Sequence, residues 1–315
     1  MIKCAVAIMA YNEQANIGKL LQALLAQELD KVQISEIMVV ASGCTDRTEE
    51  IVQEYAQQHP HIRLLHQPSR EGKASAINLC MRHLRHHQVI VLHSADLIPA
   101  PRAIENLVQP FEDPQVGMTG GRPVPTNNPG RFMGYTAHLL WGLHHRISLA
   151  RPKMGEVIAF RNIFHQIPHD SAVDEASIEP LIRGQGMHLL YTPDAVVYNH
   201  GPETVGDFMK QRRRIYAGHL YVKDTMGYSV STIKMKGILP LFLKEIIHPS
   251  TAPQLLPGEQ DEKPLSRRRH LLWGPMVAML EVYGRLLGNW DYTVWKRKPF
   301  VWAVSETTKD LVEAN

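Results

Sequence analysis

Asp96 occupies the position in this chain that most clearly suggests chemistry. It comes shortly after the apolar run Val89–Leu92, and Pro99 and Pro101 are expected to stop regular structure beyond it. A short continuous apolar run predicts a strand that is covered on both faces. A carboxylate just past such a strand can hold a divalent cation, and that cation can neutralise a diphosphate. The alternative is that Asp96 only caps a helix starting near Pro101.

Other polar segments also follow predicted strands or precede predicted helices. Asn12 and Glu13 could read a nucleotide base or ribose, although Asn12 could instead cap the next helix. Gly43 would let the backbone approach a ligand closely. Lys73 could meet a phosphate or a base carbonyl, although in isolation the segment 70–73 favours a solvated charge run. Because ligands of open α/β sheets bind at the carboxyl ends of the strands, we expect these residues at one edge of the sheet.

Strand and helix patterns alternate through the first hundred residues. Strands are predicted at Ile2–Met9, Ile37–Val40, Ile62–His66 and Val89–Leu92, and helices at Ala15–Gln27, Thr45–Gln58 and Lys73–Arg85. This alternation predicts an α/β fold with a mostly parallel sheet and helices on both faces.

The pattern is less regular beyond residue 110. Strands are predicted around Val116–Gly120 and at Glu156–Arg161, Leu189–Tyr191 and Ala195–Tyr198, and helices at Phe132–Leu149, Glu175–Arg183 and Val205–Tyr221, the last one strongly basic. Further on, Thr251–Pro264 predicts a linker or mobile loop. Leu271–Gly288 predicts an apolar helix on which Glu281 and Arg285 can pair, because they lie one turn apart.

Composition narrows the class of protein. The chain has 315 residues and a formal net charge of +3, which allow a substantial core. Three widely spaced cysteines argue against a disulfide framework and for a reducing compartment. The first residues predict structure rather than a targeting signal, and no segment reaches the roughly 20 apolar residues of a spanning helix. We therefore expect a protein that is soluble or lies on a membrane.

A series of short motifs in this order resembles the inverting family 2 glycosyltransferases of the GT-A fold, over roughly residues 1–228. The motifs are Tyr11-Asn12-Glu13, Ser42-Gly43-Cys44-Thr45-Asp46, the segment 71–78, Ser94-Ala95-Asp96, the segment 155–161, Val173-Asp174-Glu175, the segment 191–195 and the segment 211–215. Each motif alone is weak, and the series is specific.

The resemblance implies a role for the acidic residues. Asp96 matches the last acid of the Asp-x-Asp motif, which binds Mg²⁺ or Mn²⁺ and the diphosphate of the sugar nucleotide, while Ser94 replaces the first acid. Glu175 falls at the catalytic-base position, and its neighbour Asp174 is a rival for that role because the acids stand in reversed order. His200 could add a metal contact, or it could be a hydrogen-bonded structural histidine.

The resemblance also implies a donor-binding set. Gln211, Arg212 and Arg214 resemble a Gln-x-x-Arg-Trp motif that contacts the diphosphate and acceptor, with Ile215 in place of the tryptophan. The implied donor site further includes Asn12, Glu13, Ser42, Gly43, Lys73, Ser94 and Ala95. Ala41-Ser42 replaces the acidic pair that often reads uridine, so the base stays open, with a UDP-sugar favoured over a GDP-sugar.

The implied activity is inverting transfer of a sugar to an acceptor hydroxyl, in glycolipid or cell-envelope polysaccharide synthesis. One alternative is a catalytically inactive module that binds a nucleotide-sugar, which Ser94 and the reversed acids would favour. Another is a nucleotidyltransferase, although Ala10-Tyr11-Asn12-Glu13 lacks the glycine-rich loop expected there. Nucleic-acid binding is not expected, because no aromatic stacking platform accompanies the basic residues after Gln211.

The last third of the chain predicts a separate helical region. We divide the chain into a catalytic domain at 1–228 and a C-terminal helical region at 229–315, where basic clusters alternate with apolar stretches. Such a segment could lie in the headgroup plane of an anionic membrane, or it could pack on the catalytic domain. The expected location is cytoplasmic, peripheral on the inner face of the cell membrane.

Overall fold

A computed structural model describes residues 1–230, 240–244 and 267–296, without the side chain of residue 267. The strands are β1 (Ile2–Ala10), β2 (Val32–Ser42), β3 (Ile62–Gln67), β4 (Val89–Ser94), β5 (Leu97–Pro99), β6 (Val116–Pro125), β7 (Ile158–Arg161) and β8 (His188–Asn199). The helices are α1 (Ile17–Leu25), α2 (Thr48–Gln58), α3 (Lys73–His83), α4 (Ala103–Val108), α5 (Phe132–Ala150), α6 (Asp174–Gly184), α7 (Val205–Met226) and α8 (Arg267–Thr293), and a short 3₁₀ helix spans Gln109–Glu112.

The strands form one eight-stranded sheet in the order β3-β2-β1-β4-β7-β6-β8-β5. The first four neighbours, β3, β2, β1 and β4, are parallel, as the βαβ alternation predicts. β6 and β8 are also parallel, whereas β7 runs antiparallel to both β4 and β6, and β5 runs antiparallel to β8. The predicted α/β class and mostly parallel sheet are confirmed, and the antiparallel pairings all lie beyond β4.

Helices cover both faces of the sheet because β1 is apolar on both of its faces. Cys4, Val6 and Ile8 pack with α1 and α4 on one face, while Ala5 and Ala7 pack with α3 and α6 on the other. Consecutive residues of a strand point to opposite faces, so the continuous apolar run of β1 supplies two cores at once. This burial fixes the strand, and with it the position of the loop that follows at the carboxyl end.

The chain after Asp96 differs from the expectation at two points. Regular structure resumes directly after Asp96, because Leu97–Pro99 forms the short strand β5 and pairs with β8, and this strand ends at Pro99 as expected. A proline is tolerated there because β5 is an edge strand, where a missing N–H leaves no ladder bond unmade. The helix-capping alternative for Asp96 is also wrong, since α4 begins at Ala103 with Arg102 at its N-cap position and no side-chain cap bond. Asp96 therefore lies in the turn between β4 and β5, and these two strands pair with different neighbours in the sheet.

Two further boundaries differ from the sequence pattern. The two strands predicted around residues 189–191 and 195–198 are one strand, β8, and a register shift opposite Gly120–Arg122 absorbs the interruption. α2 begins at Thr48 rather than Thr45, because the backbone N–H of Thr45 donates to Asn12 Oδ1 at 2.8 Å. That contact draws Thr45 into the loop beside the end of β1.

The described part of the C-terminal region packs directly on the sheet-containing part. Arg213 of α7 forms a two-bond ion pair with the fully buried Asp291 of α8, at 2.7 and 2.8 Å. At Gly284 and Gly288 of α8 an added Cβ would lie 2.8 Å from atoms of α7, so these glycines let the helices approach closely. The linker predicted at Thr251–Pro264 lies outside the described residues. Within the described residues, no helix is both long and apolar enough to cross a bilayer.

Candidate active site

A cavity of about 550 Å³ opens at the carboxyl ends of β1, β2 and β4. The cavity is lined by most of the residues that the sequence predicted to bind the donor, to hold the metal or to act as the base. These are Glu13, Ser42, Lys73, Ser94, Ala95, Asp96, Asp174, Glu175, His200, Gln211, Arg212 and Arg214. The chain thus brings side chains from seven separate segments to one edge of the sheet, as the topology of open α/β sheets requires.

Asn12 and Gly43 do not line the cavity, although both were predicted to bind the donor. Asn12 adopts a positive φ of 52° and ties the loop after β1 to the loop after β2 through Thr45. Gly43 has a φ of 63°, and an added Cβ would lie 2.6 Å from the backbone N of Arg70. Both residues shape the loops around the cavity rather than its surface.

Lys73 connects three of the segments that meet in the cavity. It is the first residue of α3, its Nζ lies 2.7 Å from Asp174 Oδ2, and it donates to Ser94 Oγ at 3.2 Å. Burial in the cavity lowers the pKa of Lys73, but the carboxylates of Asp174, Glu175 and Glu156 together outweigh that effect and raise the pKa above its ordinary value. Lys73 is therefore a charged group at the boundary between β4 and α6.

The two adjacent acids at the start of α6 have different surroundings. Asp174 is buried and ion-paired to Lys73, whereas the half-buried Glu175 faces the cavity. Burial, and then the charge of Asp174, raise the pKa of Glu175 to about 8. A carboxylate with a raised pKa near neutral pH is well matched to take a proton from a hydroxyl group. The arrangement separates an ion-paired acid from one that is available as a base.

Five charged residues of the cavity wall were not among the predicted site residues, namely Arg70, Lys153, Glu156, Glu281 and Arg285. Glu156 lies close enough to Asp96 that burial first, and then the Asp96 charge, raise the pKa of Glu156. Burial lowers the pKa of Lys153, and the Glu175 carboxylate opposes that effect. Glu281 of α8 pairs with Arg212 of α7 at 3.1 Å. Glu156 belongs to the motif at 155–161, whereas no local pattern predicts that α8 reaches the site.

The donor atoms near Asp96 suit a hard divalent cation that is shared with a phosphate ligand. Asp96 offers carboxylate oxygen, and Glu156 adds a second acid nearby. Mg²⁺ and related ions usually bind one or two carboxylates, keep several waters and take the remaining oxygens from substrate phosphates. No group of three potential ligands with closely spaced atoms occurs in the described part of the cavity wall. The residues present therefore fit a metal that would be held jointly with a diphosphate.

His200 lies in the cavity wall with both ring nitrogens close to protein atoms. Nδ1 lies 3.2 Å from Thr126 Oγ1, and Nε2 lies 3.4 Å from Asn127 Nδ2 and 3.2 Å from Glu203 Oε1. These contacts are those of the hydrogen-bonded structural histidine that the sequence left open. A role as metal ligand would require Nε2 to give up its contact with Glu203.

One turn of α7 contacts both the cavity and α8. Gln211, Arg212 and Arg214 line the cavity, and the guanidinium of Arg212 also stacks over Phe208 at 5.0 Å. Arg213 instead pairs with Asp291, away from the cavity. α8 is thus anchored by the same helix that presents cations to the site.

Comparison with known proteins identifies related sequences and folds. The profile described as "Glycosyl transferase family 2" matches residues 5–181. A dolichyl-phosphate beta-glucosyltransferase of Trichomonas vaginalis is 37% identical over 93 residues, covering 28% of this chain and 29% of the relative. A poly-beta-1,6-N-acetyl-D-glucosamine synthase of Staphylococcus aureus is 26% identical over 248 residues, covering 74% of this chain. The chain spans 58% of that synthase's length.

Solved structures share the fold at lower identity. A mannosyltransferase of Pyrobaculum calidifontis, in complex with GDP-Man and Mn²⁺, aligns with a TM-score of 0.55 and 22% identity, over 94% of this chain and 81% of the other. A glucosyl-3-phosphoglycerate synthase of Mycobacterium tuberculosis, in complex with Mn²⁺, UDP and phosphoglyceric acid, aligns with a TM-score of 0.51 and 19% identity, over 70% of this chain and 78% of the other. These alignments support the GT-A type of fold that the motifs imply.

Proposed function

The chain belongs to glycosyl transferase family 2, and we propose that it transfers a sugar, with inversion, from a nucleotide-sugar to an acceptor hydroxyl group. The observation that carries this proposal is the separation of roles between adjacent acids. Lys73 holds Asp174 in an ion pair, while Glu175 faces the same cavity as Asp96 with its pKa raised. The proposed base and the proposed diphosphate-binding acid therefore line the same cavity.

Glu175 is the proposed general base. It takes the proton of the acceptor hydroxyl as that oxygen attacks the anomeric carbon from the face opposite the nucleotide. The bond from the anomeric carbon to the diphosphate oxygen breaks, and the electron pair leaves with the nucleoside diphosphate. No carboxylate nucleophile is required, in contrast to a retaining double displacement. Asp174 is the weaker candidate for the base because its oxygen already contacts Lys73 at 2.7 Å.

The leaving diphosphate gains negative charge, and the cations of the cavity are placed to offset it. Lys73 and Arg214 line the cavity from α3 and α7. Positioned cations in a space with little water stabilise developing charge strongly. A bound Mg²⁺ or Mn²⁺, held by Asp96, would add electrostatic stabilisation of the same diphosphate. The complexes of the Pyrobaculum and Mycobacterium enzymes with Mn²⁺ support this choice of ion.

The experiment that tests the proposal measures release of nucleoside diphosphate from a panel of UDP- and GDP-sugars with Mn²⁺. The acceptors are a polyprenyl phosphate, short saccharides and a cell-envelope extract. We expect Glu175→Gln to lower kcat by about 10²- to 10⁴-fold, the range for loss of a general base. Asp174→Asn is the matched control and should keep more activity than Glu175→Gln. Donor binding by calorimetry without transfer to any acceptor would instead support an inactive binding module.

We also propose that the outer face of α8 lies on an anionic membrane, on the cytoplasmic side. Ten of the sixteen exposed large apolar side chains of the described residues lie between 271 and 295. On α8 they recur every three or four residues as one stripe, at Leu272, Met276, Met279, Tyr283, Leu286 and Trp290. Arg268 and Arg269 stand at one end of this stripe and Lys296 at the other. An apolar face between basic ends matches the acyl boundary and anionic headgroups of a lipid surface.

The same helix contributes to the cavity, which favours a lipid-linked acceptor. Val277, Glu281 and Arg285 line the cavity, while the stripe defined above faces outward. A lipid-linked substrate in the membrane could therefore reach the site along one helix. The catalytic domain at 1–228 and the helical region at 229–315 would then act together. The three free cysteines agree with a reducing compartment.

Vesicle flotation tests the membrane proposal. The triple variant Leu272→Gln, Met279→Gln, Leu286→Gln should bind anionic vesicles at least roughly tenfold more weakly, because each buried apolar side chain contributes about 1–2 kcal/mol. Leu149→Gln with Leu190→Gln is the matched control, since both leucines are exposed elsewhere. Absent binding of the unaltered protein to anionic vesicles would contradict the proposal. A dimer that the triple variant converts to a monomer would assign the stripe to a second copy.

A further inference from the structure

A compact cluster of potential metal ligands lies at the opposite end of the sheet from the cavity. Glu36 lies in the first half of β2, and His86 and His87 lie in the turn between α3 and β4. Among the residues that the structure describes, only these three form a group of His, Cys, Asp or Glu side chains whose ligand atoms all lie within 4.8 Å of one another. The strand β4 runs from this turn to the loop that contains Asp96. Its length is about 20 Å, because each strand residue extends the chain by roughly 3.3 Å.

Three cationic or basic groups converge on one carboxylate in this cluster. The Nε2 atoms of His87 and His86 lie 2.8 and 3.4 Å from Glu36 Oε2. The other oxygen, Oε1, accepts from Arg63 Nη1 at 3.1 Å. Arg63 therefore balances the carboxylate charge on one side and leaves Oε2 facing the two imidazoles.

A bulge in β2 fixes the orientation of His87. The register of β1 and β2 passes from Cys4 opposite Ile34 to Ala5 opposite Glu36, so Ser35 is an extra residue. Ser35 Oγ donates to the Cys4 carbonyl at 2.9 Å, and His87 Nδ1 lies 3.3 Å from the same Oγ. Because the hydroxyl hydrogen is already used, Nδ1 must carry the proton and donate to Ser35.

This hydrogen bond determines what can lie between His87 and Glu36. In the neutral ring with Nδ1 protonated, Nε2 carries a lone pair that faces Oε2 of Glu36 at 2.8 Å. Two lone pairs at that distance require a cation between them, either a second proton on the ring or a metal ion. A metal-ligating histidine almost always donates its other ring N–H in this way, and Ser35 provides the acceptor.

We propose that Glu36, His86 and His87 bind one divalent cation of the zinc class. Bonds of about 2.0–2.2 Å at tetrahedral angles place ligand atoms roughly 3.3–3.5 Å apart. The 3.4 Å contact between Glu36 Oε2 and His86 Nε2 matches that spacing, whereas the 2.8 Å contact with His87 Nε2 must lengthen by about 0.5 Å when the ion binds. Two imidazoles and one carboxylate favour zinc over magnesium or calcium, which prefer oxygen ligands. The His86 side chain is 64% exposed, so the ion can enter from solvent and water can supply the fourth ligand. The site joins β2 to the α3–β4 turn and is independent of the proposed transfer reaction.

Calorimetric titration of the full chain with ZnCl₂, after removal of metals with a chelator, tests this site. We expect one equivalent to bind, and His86→Ala to weaken its affinity by at least about tenfold, since a ligand counts for no less than the second-shell groups whose loss costs 10- to 100-fold. The exposed His86 is the first choice because its removal leaves the core unchanged. His83→Ala, an exposed histidine one turn earlier, is the matched control and should bind as the unaltered protein does.

The same titration on Asp96→Asn distinguishes this site from the cavity. We expect the Zn²⁺ equivalent that depends on His86 to persist in Asp96→Asn, and the Nε2 resonances of both histidines to shift on Zn²⁺ addition in ¹⁵N NMR spectra. Absence of a bound equivalent in the unaltered protein would leave a protonated His87–Glu36 pair and overturn the proposal. So would Zn²⁺ binding that is unchanged in His86→Ala, or that is lost only in Asp96→Asn.

Discussion

Lys73 shows how a single side chain can set the protonation of a neighbouring site. Its Nζ contacts both Asp174 and Ser94, and it stands at the start of α3, where the positive φ of Gly72 turns the chain into the helix. Two charged side chains of the same cavity act in opposite directions on the pKa of Glu175. The Lys73 charge lowers the pKa of Glu175, and the Glu156 charge raises it. The ionisation of the proposed base is thus balanced by residues on different elements.

The first prediction concerns the pH dependence of catalysis. A general base must be deprotonated, so kcat/KM should rise with pH and level off above about 8, the pKa that burial and Asp174 give Glu175. Lys73→Gln removes a favourable charge and should move the rising part of the profile to higher pH. Glu156→Gln removes an unfavourable charge and should move it to lower pH.

The measurement is the rate of nucleoside diphosphate release between pH 5.5 and 9.5, at several donor concentrations. Using both variants gives an internal control, because general damage to the site would not move the two profiles in opposite directions. A profile that shifts in the same direction in both variants, or that stays fixed in both, would rule out Glu175 as the titrating base.

At the scale of the elements, two glycines with positive φ differ in what a side chain would meet. Gly43 has a φ of 63° and lies against the backbone of Arg70, whereas Gly227, at the end of α7, has a φ of 66° with nothing within 4 Å of an added Cβ. Both positions carry the conformational cost of a left-handed residue, about 1–2 kcal/mol. Only Gly43 also carries a backbone clash.

The second prediction follows from this difference. Gly227→Ala should lower the free energy of unfolding by about 1 kcal/mol, and Gly43→Ala by about 2–4 kcal/mol, because the loop after β2 must move away from Ser69–Arg70. Urea unfolding at neutral pH provides the comparison. Equal losses in the two variants would mean that the loop moves at no cost and does not hold the cavity edge.

The third prediction concerns the contact between α7 and α8. An added Cβ at Gly288 would lie 2.8 Å from the carbonyl oxygen of Arg213, which cannot rotate away. Gly288→Ala should therefore destabilise the protein by about 1–3 kcal/mol, although alanine is the better helix former by about 1 kcal/mol. Gly142 of α5 has open space around it, so Gly142→Ala is the control and should be neutral or stabilising. Thermal unfolding measures both, and a stabilising Gly288→Ala would contradict the close packing.

The parallel half of the sheet could be predicted well from the sequence, because each of its strands and helices is marked by a pattern of neighbouring residues. Apolar runs, helix periodicity and the residues just after each strand identify β1 to β4 and place Asp96 and Lys73 at one edge. Contacts that depend on distant pairing were not predictable in this way. β5 forms only because β8 lies beside it, and Glu281 enters the cavity only because Asp291 and two glycines hold α8 on α7.

At the scale of the whole molecule, three histidines are buried in surroundings that keep them neutral. Burial lowers the pKa of His93 to about 4 and that of His219 to about 3, and it lowers the pKa of His144 well below its ordinary value. His93 lies on β4, His219 on α7 and His144 on α5, so they connect the sheet to the helices around the cavity. Protonating any of them in the folded state would place a charge in the interior.

The fourth prediction is a loss of stability in mild acid that begins well above the usual range of carboxylate titration. In the unfolded chain each of these histidines binds a proton near pH 6.5. In the folded protein His93 binds a proton only near pH 4 and His219 only near pH 3. Stability is therefore complete above pH 6.5 and falls as the pH drops towards the folded pKa, by on the order of a few kcal/mol for each histidine. Urea unfolding midpoints between pH 4.5 and 8 should show this slope, and His219→Gln should make it shallower, whereas the exposed His188→Gln should leave it unchanged. A midpoint that stays flat from pH 8 to pH 5 would show that these histidines accept protons without opening the structure.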